Sequence, residues 1–390
     1  MAKLKQYILV INSGSATLKF KIFHEIDFSI AVSGIVEKIG LPGSFISISE
    51  NSSKRMVMKN YPEGITDHNQ ALQIVLTHLN HWKKKIKIIG HRVVHGGNLF
   101  TEPTVITQKN LPKLENFSQL APLHNPVNLA CIKTCLQTMT KIKNVAVFDT
   151  AFYKTIPDYA YFYAIPYKYY LDFGIRRYGF HGISHQYVAI TAAEKLKKPL
   201  TKLKLITCHL GSGCSVTATK YGKAIETSMG FTPLEGLMMG TRSGNLDPSV
   251  AFFLMKKLSL NIDEVEEILN KKSGLLGIFG YSNDMRDIMI AAGYKIPGYT
   301  PPKKFNQKEK KLAKLALKMF TYNILRYLGN YATLMGGVDY VIFTAGTGER
   351  NADVRRLVMK DFKKSWPKAQ NLVIPTNEEL MIAEQTAKLC

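Results

Sequence analysis

Residues 7–23 read YILVINSGSATLKFKIF: two apolar runs of strand character, Tyr7–Ile11 and Leu18–Phe23, flank a patch of Asn, Ser, Gly and Thr. The plan returns at residues 205–219, LITCHLGSGCSVTAT, where Leu205-Ile206-Thr207-Cys208 leads into His209-Leu210-Gly211-Ser212-Gly213 and an alternating strand through Val216 and Ala218. A third glycine turn is predicted at Ala345-Gly346-Thr347-Gly348 after the strand Val341-Ile342-Phe343, with Arg355 and Arg356 on a following helix. Glycine and serine at such turns let backbone N–H groups converge on an anion without obstruction. A single turn of this kind is what any hairpin needs. Two hairpins, one in each half, predict a duplicated α/β domain with a cleft between the halves. No P-loop or dinucleotide signature accompanies them.

The chain has 390 residues, and single cores stop growing near roughly 250–300, so two domains are expected. No apolar run reaches the ~18 residues of a membrane span. Met1–Gln6 lead directly into a strand, without the apolar core and cleavage site of a signal peptide, so a cytoplasmic protein without a membrane partner is expected. The five cysteines are odd in number and sparse. Cys131 and Cys135 can share a helix face, but no His or Cys pair completes a zinc site, and free thiols are expected. The net charge of +23 raises nucleic-acid binding. The lysines, however, fall in short clusters (83–85, 197–198, 271–272, 303–318) without an RNA-binding signature or stacking aromatics. A solvated basic surface, attractive to small anions, is the better reading.

Helices are predicted over 68–82, 126–139, 184–197, 247–258 and 308–328, the last from its recurring apolar positions. Chemistry-bearing residues gather on loops punctuated by Gly and Pro. GHRVVHGG (90–97) carries Arg92 and His95; LAPLHNPVN (120–128) carries His124 and Asn125. VFDTAFYKTIP (147–157) ends a strand on Asp149, the usual place for a functional acid in an α/β sheet. RRYGFHGISHQYV (176–188) holds Arg176, Arg177, His181 and His185, and GFTPLEGLMMGTRSGNLDPS (230–249) holds Glu235, Arg242 and Asp247. Arginines, histidines and one acid on such loops fit phosphoryl transfer, which demands positioning and neutralisation of a charged in-line transition state. Acyl and hydride transfer fit less well, and GISH is not a nucleophile elbow.

In this order the motifs INSGSATLKF, GHRVVHGG, LAPLHNP, FDTAF, YGFHGISH, HLGSGCS, TSMGFTPLEGLMMGTRSG, SGLLG, SNDMRD, FTAGTGE and PTNEELMIA span almost the whole chain. The series resembles the acetate kinases, within the acetate and propionate kinase group of the actin-like (ribonuclease H-like) ATPase fold. The resemblance implies an α/β protein of two actin-like domains, 1–149 with 376–390 on the acyl and metal side and 150–375 on the nucleotide side, closing over a central cleft. It implies transfer of the ATP γ-phosphoryl group to acetate with Mg²⁺, or Mn²⁺ in its place, and a homodimer. Carried over by motif, Asn12 and Glu378 (Glu379 is adjacent) are implied to position the metal. Ser15, Thr17 and Lys19 face phosphate. Arg92 and Arg242 clamp the carboxylate and the phosphoryl group, His181 hydrogen-bonds that group, and Asp149 is the catalytic aspartate. His209, Leu210, Gly211, Ser212 and Gly213 form a second phosphate loop. Asp284, Met285 and Arg286, with Gly346, Thr347, Gly348, Glu349 and Arg350, bind the nucleoside. Val94, Leu123, Phe180 and Pro233 surround the acetate methyl.

Bidentate arginine suits a carboxylate, and two arginines with Mg²⁺ offset the repulsion between two anions that must meet. The sequence departs from the family pattern at Ser212, which stands in place of Asn, at Ala345 in place of Gly, at Arg350 in place of Asn, and at Asn245 where Asp is common. Ser212 has a shorter reach to phosphate than an amide. Ala345 brings a methyl beside the base site that disfavours a left-handed backbone, Arg350 adds a cation and Thr347 stands where the family has Ile, so ATP against GTP preference stays open. A propionate- or butyrate-preferring kinase is the alternative within enzymes. A nucleotide- or RNA-binding protein without catalysis is the alternative outside them, and the intact Arg, His and Asp set speaks against it.

Overall fold

The computed structural model describes residues 6–51, 55–122 and 124–390. The chain divides into two compact units: residues up to Phe152 together with Asn377–Cys390, and Tyr153–Thr376.

In the first unit the strands are β1 (Tyr7–Ser13), β2 (Thr17–His24), β3 (Ile30–Glu37), β4 (Ser44–Glu50), β5 (Arg55–Tyr61), β6 (Ile86–Val93), β7 (Thr104–Ile106) and β8 (Lys143–Phe148). Among the described residues they form one sheet in the order β5-β4-β3-β2-β1-β6-β8-β7. The opening hairpin is β1 against β2, with Asn12 opposite Lys19. β1 runs parallel to β6, and β6 parallel to β8. Three neighbouring strands therefore end on the same edge, at Ser13, Val93 and Phe148, and deliver Asn12, Arg92 and Asp149 there. One face packs on the helices His68–His78 and Asn125–Thr138, in a core that includes Leu9, Leu18, Phe20, Leu72, Val75 and Cys131. The helix Glu378–Ala387 returns from the end of the second unit and packs on β1, β6 and β8. Gly90 in β6 lets it approach: a Cβ there would lie 2.3 Å from Thr386 Oγ1 and 2.9 Å from Ile382 Cγ2.

In the second unit the strands are β9 (Lys204–Leu210), β10 (Cys214–Lys220), β11 (Lys223–Thr227), β12 (Tyr340–Thr344) and β13 (Gln370–Val373), in the order β11-β10-β9-β12-β13. Here β9 pairs antiparallel with β10 and parallel with β12, as β1 does with β2 and β6. The two hairpins thus occupy equivalent places in two sheets, which is the duplication predicted from their sequences.

Four predicted helices agree to within a few residues: His68–His78 followed by a 3-10 turn Asn80–Trp82, Asn125–Thr138, Gly182–Lys195 and Pro248–Leu258. The fifth is longer, Gln307–Met335. It opens on a reciprocal cap between Asn306 and Glu309, buries Ala313, Leu317, Phe320, Ile324 and Leu328, and stops where Gly336 turns left-handed at φ 66°. The glycine turn predicted at Ala345–Gly348 is instead the start of a helix, Ala345–Arg350, joined directly to β12. Ala345 alone makes the corner. It sits at φ 63°, and its N–H is held by Glu349 Oε1 at 2.7 Å.

Candidate active site

In the first unit the site is a network of charge at the strand ends. Arg92 donates from Nε and Nη2 to Asp149 Oδ2, at 3.1 and 2.6 Å, and from Nη1 to Asn12 Oδ1 at 3.3 Å. Three of the five guanidinium N–H groups are thereby engaged, leaving one on each Nη for an incoming anion. Burial opposes the charge on Arg92, but Asp149 and Glu378 outweigh it and raise its pKa, so the guanidinium stays charged. The Asn12 amide donates to Glu379 Oε1 at 2.9 Å and more weakly to Glu378 Oε2 at 3.4 Å. Lys21 Nζ takes the other oxygen of Glu379 at 3.1 Å.

The two adjacent acids consequently differ. Burial works against the charge on Glu379, yet Lys21, the Asn12 hydrogen bond and Lys19 hold its pKa below the usual value. For Glu378, burial together with Asp149 and Glu379 outweighs Arg92 and Lys19, and its pKa rises. Glu379 is a structural acid satisfied by the protein. Glu378 is crowded by like charges and, among the described residues, no lysine hydrogen-bonds it, so an added cation would relieve it more than Glu379. Asp149 is 1% exposed, and its Oδ1 is buried with no hydrogen-bond partner. A carboxylate oxygen left in this state is a seat for a hard cation. Among the described residues no group of three His, Cys, Asp or Glu makes a ready cage.

The remaining candidates of this unit divide between exposed and bracing positions. Ser15 and Lys19 are exposed and Thr17 half-buried around the β1–β2 turn. Val94 is buried, its N–H held by Asn128. His95 and Asn125 brace the loop after β6: the Asn125 side chain accepts from the His95 N–H and donates to the His95 carbonyl, at 3.0 and 2.9 Å. Leu123 lies outside the described residues.

In the second unit, His181 caps the helix Gly182–Lys195 in a left-handed conformation, φ 57°. Such strain in a non-glycine residue persists where the surroundings fix it. Here the ring stacks on His209, centroids 4.2 Å apart, and its Nδ1 lies 2.9 Å from Ser215 Oγ. Gly213 makes room at the front: a Cβ there would lie 3.4 Å from His181 Nε2 and 3.7 Å from Arg242 Nη1. The Gly211–Gly213 turn therefore carries one imidazole nitrogen and one guanidinium on the same glycine. Its exposed tip, Ser212, accepts a hydrogen bond on its carbonyl from the Gly240 N–H at 3.1 Å, which ties the turn to the arginine loop.

Arg242 hydrogen-bonds the Pro233 carbonyl from Nη1 at 3.3 Å. Among the described residues no acid pairs with it, and burial lowers its pKa. Even a half-buried cation is costly where no acid offsets it, and an arriving anion removes that cost. The loop that aims Arg242 is braced by Arg177, which binds Glu235 Oε1 at 2.6 Å, and by Tyr163, which donates to Glu235 Oε2. Arg176 stacks on the Tyr161 ring at 3.4 Å, and Asp247 caps the helix Pro248–Leu258.

Asp284 caps the helix Met285–Ala291 and pairs with Arg286 at 2.6 Å, while Arg286 lies over the Tyr299 ring at 4.2 Å. This presents a planar, exposed guanidinium. In Ala345–Arg350, Gly346 and Thr347 are half-buried, Gly348 is buried and Arg350 is exposed. Glu349 turns inward, where Oε1 accepts from the N–H groups of Ala345 and Thr376. Phe180 is buried and Pro233 half-buried.

The sequence reading missed two contributors. Lys21 holds Glu379; it lies two residues beyond Lys19 on β2, so period-two alternation places both on one face. Ser215 joins His181 to His185; it lies two residues beyond Gly213, and alternation alone could have marked it.

A sequence model described as the Acetokinase family matches residues 7–366. An acetate kinase of Caldicellulosiruptor bescii is 45% identical over 98% of this chain and 99% of its own, and one of Thermotoga maritima is 45% identical over 98% of each. Among solved structures, an acetate kinase of Porphyromonas gingivalis superposes with a TM-score of 0.86 at 38% identity, covering 98% of this chain and 99% of its own. A propionate kinase of Francisella tularensis superposes at 0.88 with 36% identity, covering 99% and 100%.

Proposed function

The chain belongs to the acetokinase family and has its duplicated actin-like fold, and from that premise we propose how its residues perform the transfer of the ATP γ-phosphoryl group to acetate. The enzyme is a phosphotransferase with a carboxyl acceptor. It forms acetyl phosphate and ADP by direct in-line displacement, and the reaction is reversible.

The observation that carries the assignment of roles is Arg242, a half-buried guanidinium that no acid among the described residues neutralises, sharing Gly213 with His181. This pair receives the phosphoryl oxygens: the arginine supplies charge and the imidazole a directed hydrogen bond. Arg92 offers its two remaining N–H groups to the acetate carboxylate, while Asp149 and Asn12 hold its fork in place. Asp149 and Glu378, the latter positioned by Asn12, would hold Mg²⁺, or Mn²⁺ in its place. When bound, the ion neutralises phosphate charge that otherwise repels the carboxylate. Ser15, Thr17 and Lys19, with the Gly211–Gly213 turn, receive the phosphates. Arg286 and the residues Gly346–Arg350 receive the nucleoside, Arg286 by stacking. Val94, Leu123, Phe180 and Pro233 surround the methyl group.

A hydroxylamine trap for acyl phosphate, run with acetate, propionate and butyrate and with ATP or GTP, tests the assignment. Acetate should give the highest kcat/KM, and absence of trapped product with any acid would overturn it. The propionate reading is favoured by one observation, the 0.88 TM-score to a propionate kinase. One methylene is worth only ~1–3 kcal/mol in a pocket, so the ratio of the two acids decides.

The substrates and the five free cysteines fit a cytoplasmic setting, and among the described residues no helix is long and apolar enough to cross a membrane. The functional form is a homodimer. Its support is the helix Pro248–Leu258, which buries no residue and exposes Phe252 and Phe253 at 61% and 63%. A second copy of the chain is the proposed cover for that apolar face.

A further inference from the structure

Behind His181 runs a row of buried hydrogen-bonding groups that the transfer step itself does not touch. Thr207 Oγ1 lies 2.6 Å from His185 Nδ1, His185 Nε2 lies 2.7 Å from Ser215 Oγ, and Ser215 Oγ lies 2.9 Å from His181 Nδ1. Thr207, His185 and Ser215 are each 0% exposed. They stand on three elements that the sheet brings side by side, β9, the helix Gly182–Lys195 and β10.

A neutral imidazole has one donor and one acceptor nitrogen, and a hydroxyl donates once. Two directions around the row satisfy these counts. In the reverse one, His185 donates to Thr207, and the threonine proton must go to the Thr217 carbonyl. That carbonyl is 3.5 Å away, a poor acceptor beside one at 2.6 Å. In the forward one the threonine hydroxyl donates to His185 Nδ1. His185 then donates from Nε2 to Ser215, and Ser215 donates to His181 Nδ1. His181 is left with its own proton on Nε2, the nitrogen that faces Gly213 beside Arg242.

We propose that Thr207, His185 and Ser215 are positioning residues that fix His181 as its Nε2–H tautomer and so aim a neutral hydrogen-bond donor at the transferring phosphoryl group. The strained backbone at His181 has the matching effect of fixing where the ring sits. With the other tautomer, an imidazole lone pair would face the phosphoryl oxygens and repel them. The proposal rests on the reading that His181 contacts that group.

Its test separates the two. Two-bond ¹H–¹⁵N spectra of the full-length protein labelled at histidine report which nitrogen of His181 carries the proton, whatever the reaction. The expected result is protonation at Nε2 in the parent and a mixed tautomer in Ser215→Ala and in Thr207→Val, the latter close to isosteric. Both variants should lose roughly 10–100-fold in kcat, the scale seen for outer-shell partners of functional histidines, with KM for acetate little changed. Thr207→Ser restores the hydroxyl and should restore both the spectrum and the rate. Protonation at Nδ1 in the parent would overturn the proposal without any variant having to fold. A correct tautomer that is lost in the variants while kcat stays at the parent value would instead overturn the role of His181.

Discussion

Arg242 carries its charge where burial works against it and no described acid offsets it, so its effect on turnover should exceed its effect on folding. Arg242→Ala is expected to lower kcat by about 10²–10³ with little loss of stability. Steady-state kinetics beside a urea melt check both halves. Ala345 poses the opposite case. An L-residue in the left-handed region costs about 1–2 kcal/mol, which glycine's greater freedom in the unfolded chain partly offsets. Ala345→Gly should therefore stabilise the protein by about 0.5–1 kcal/mol in a urea melt. The third residue is His91, 1% exposed, with Nε2 on Asn144 and Nδ1 buried without a partner. Burial lowers its pKa from 6.5 to about 4, against the opposing Asn144 bond. The folded state thus resists a proton that the unfolded chain accepts. The neutral ring's contribution is fully present above pH 6.5 and is lost as the pH falls toward 4. Up to about 3 kcal/mol of acid sensitivity belongs to this one ring. His91→Gln should make the urea midpoint fall less steeply between those pH values, the remainder belonging to the buried His185 and to His68, and an unchanged slope would assign the whole sensitivity elsewhere.

At the scale of elements, the sheet of the first unit tolerates little at Gly90, because the helix Glu378–Ala387 rests on it. Gly90→Ala should cost roughly 1–3 kcal/mol by overpacking. It should also raise the Mg²⁺ concentration needed for half-maximal rate, because the helix that shifts carries Glu378. A metal titration alongside a melt separates the two effects. The same elements show why part of the molecule could be read in advance. Both hairpins declare themselves through short apolar runs around a glycine turn, and Asp149 declares itself by following a strand. The division between Glu378 and Glu379 could not be read, because it depends on Lys21 reaching across from a strand more than 350 positions earlier. Nor could the helix at Ala345–Arg350, since glycine and threonine argue against helix locally. There the inward turn of Glu349 prevails over propensity.

For the molecule as a whole, the surface remaining after folding is informative. Pro248–Leu258 leaves Val250, Phe252, Phe253 and Leu258 exposed on an otherwise basic protein of net charge +23. Charge of that size keeps most of the surface apart from its copies, so association should be confined to such a face. Phe253→Lys is expected to convert a dimer to a monomer in light scattering, and a parent already monomeric would remove the proposed cover. Composition alone did not reveal this face. The sequence predicted a helix over 247–258 but did not say which of its sides would stay uncovered.

The return of Glu378–Ala387 to the first sheet has a further consequence, for the order in which the protein is made. Until residues 377–387 have emerged from the ribosome, β1, β6 and β8 have been synthesised without the helix that packs on them, and Glu378 and Glu379, which bond Asn12, do not exist. The second unit is contiguous and can mature first. The nascent chain therefore holds Asp149, His181 and Arg242 well before Glu378 and Glu379, and a partly translated copy lacks part of the proposed site.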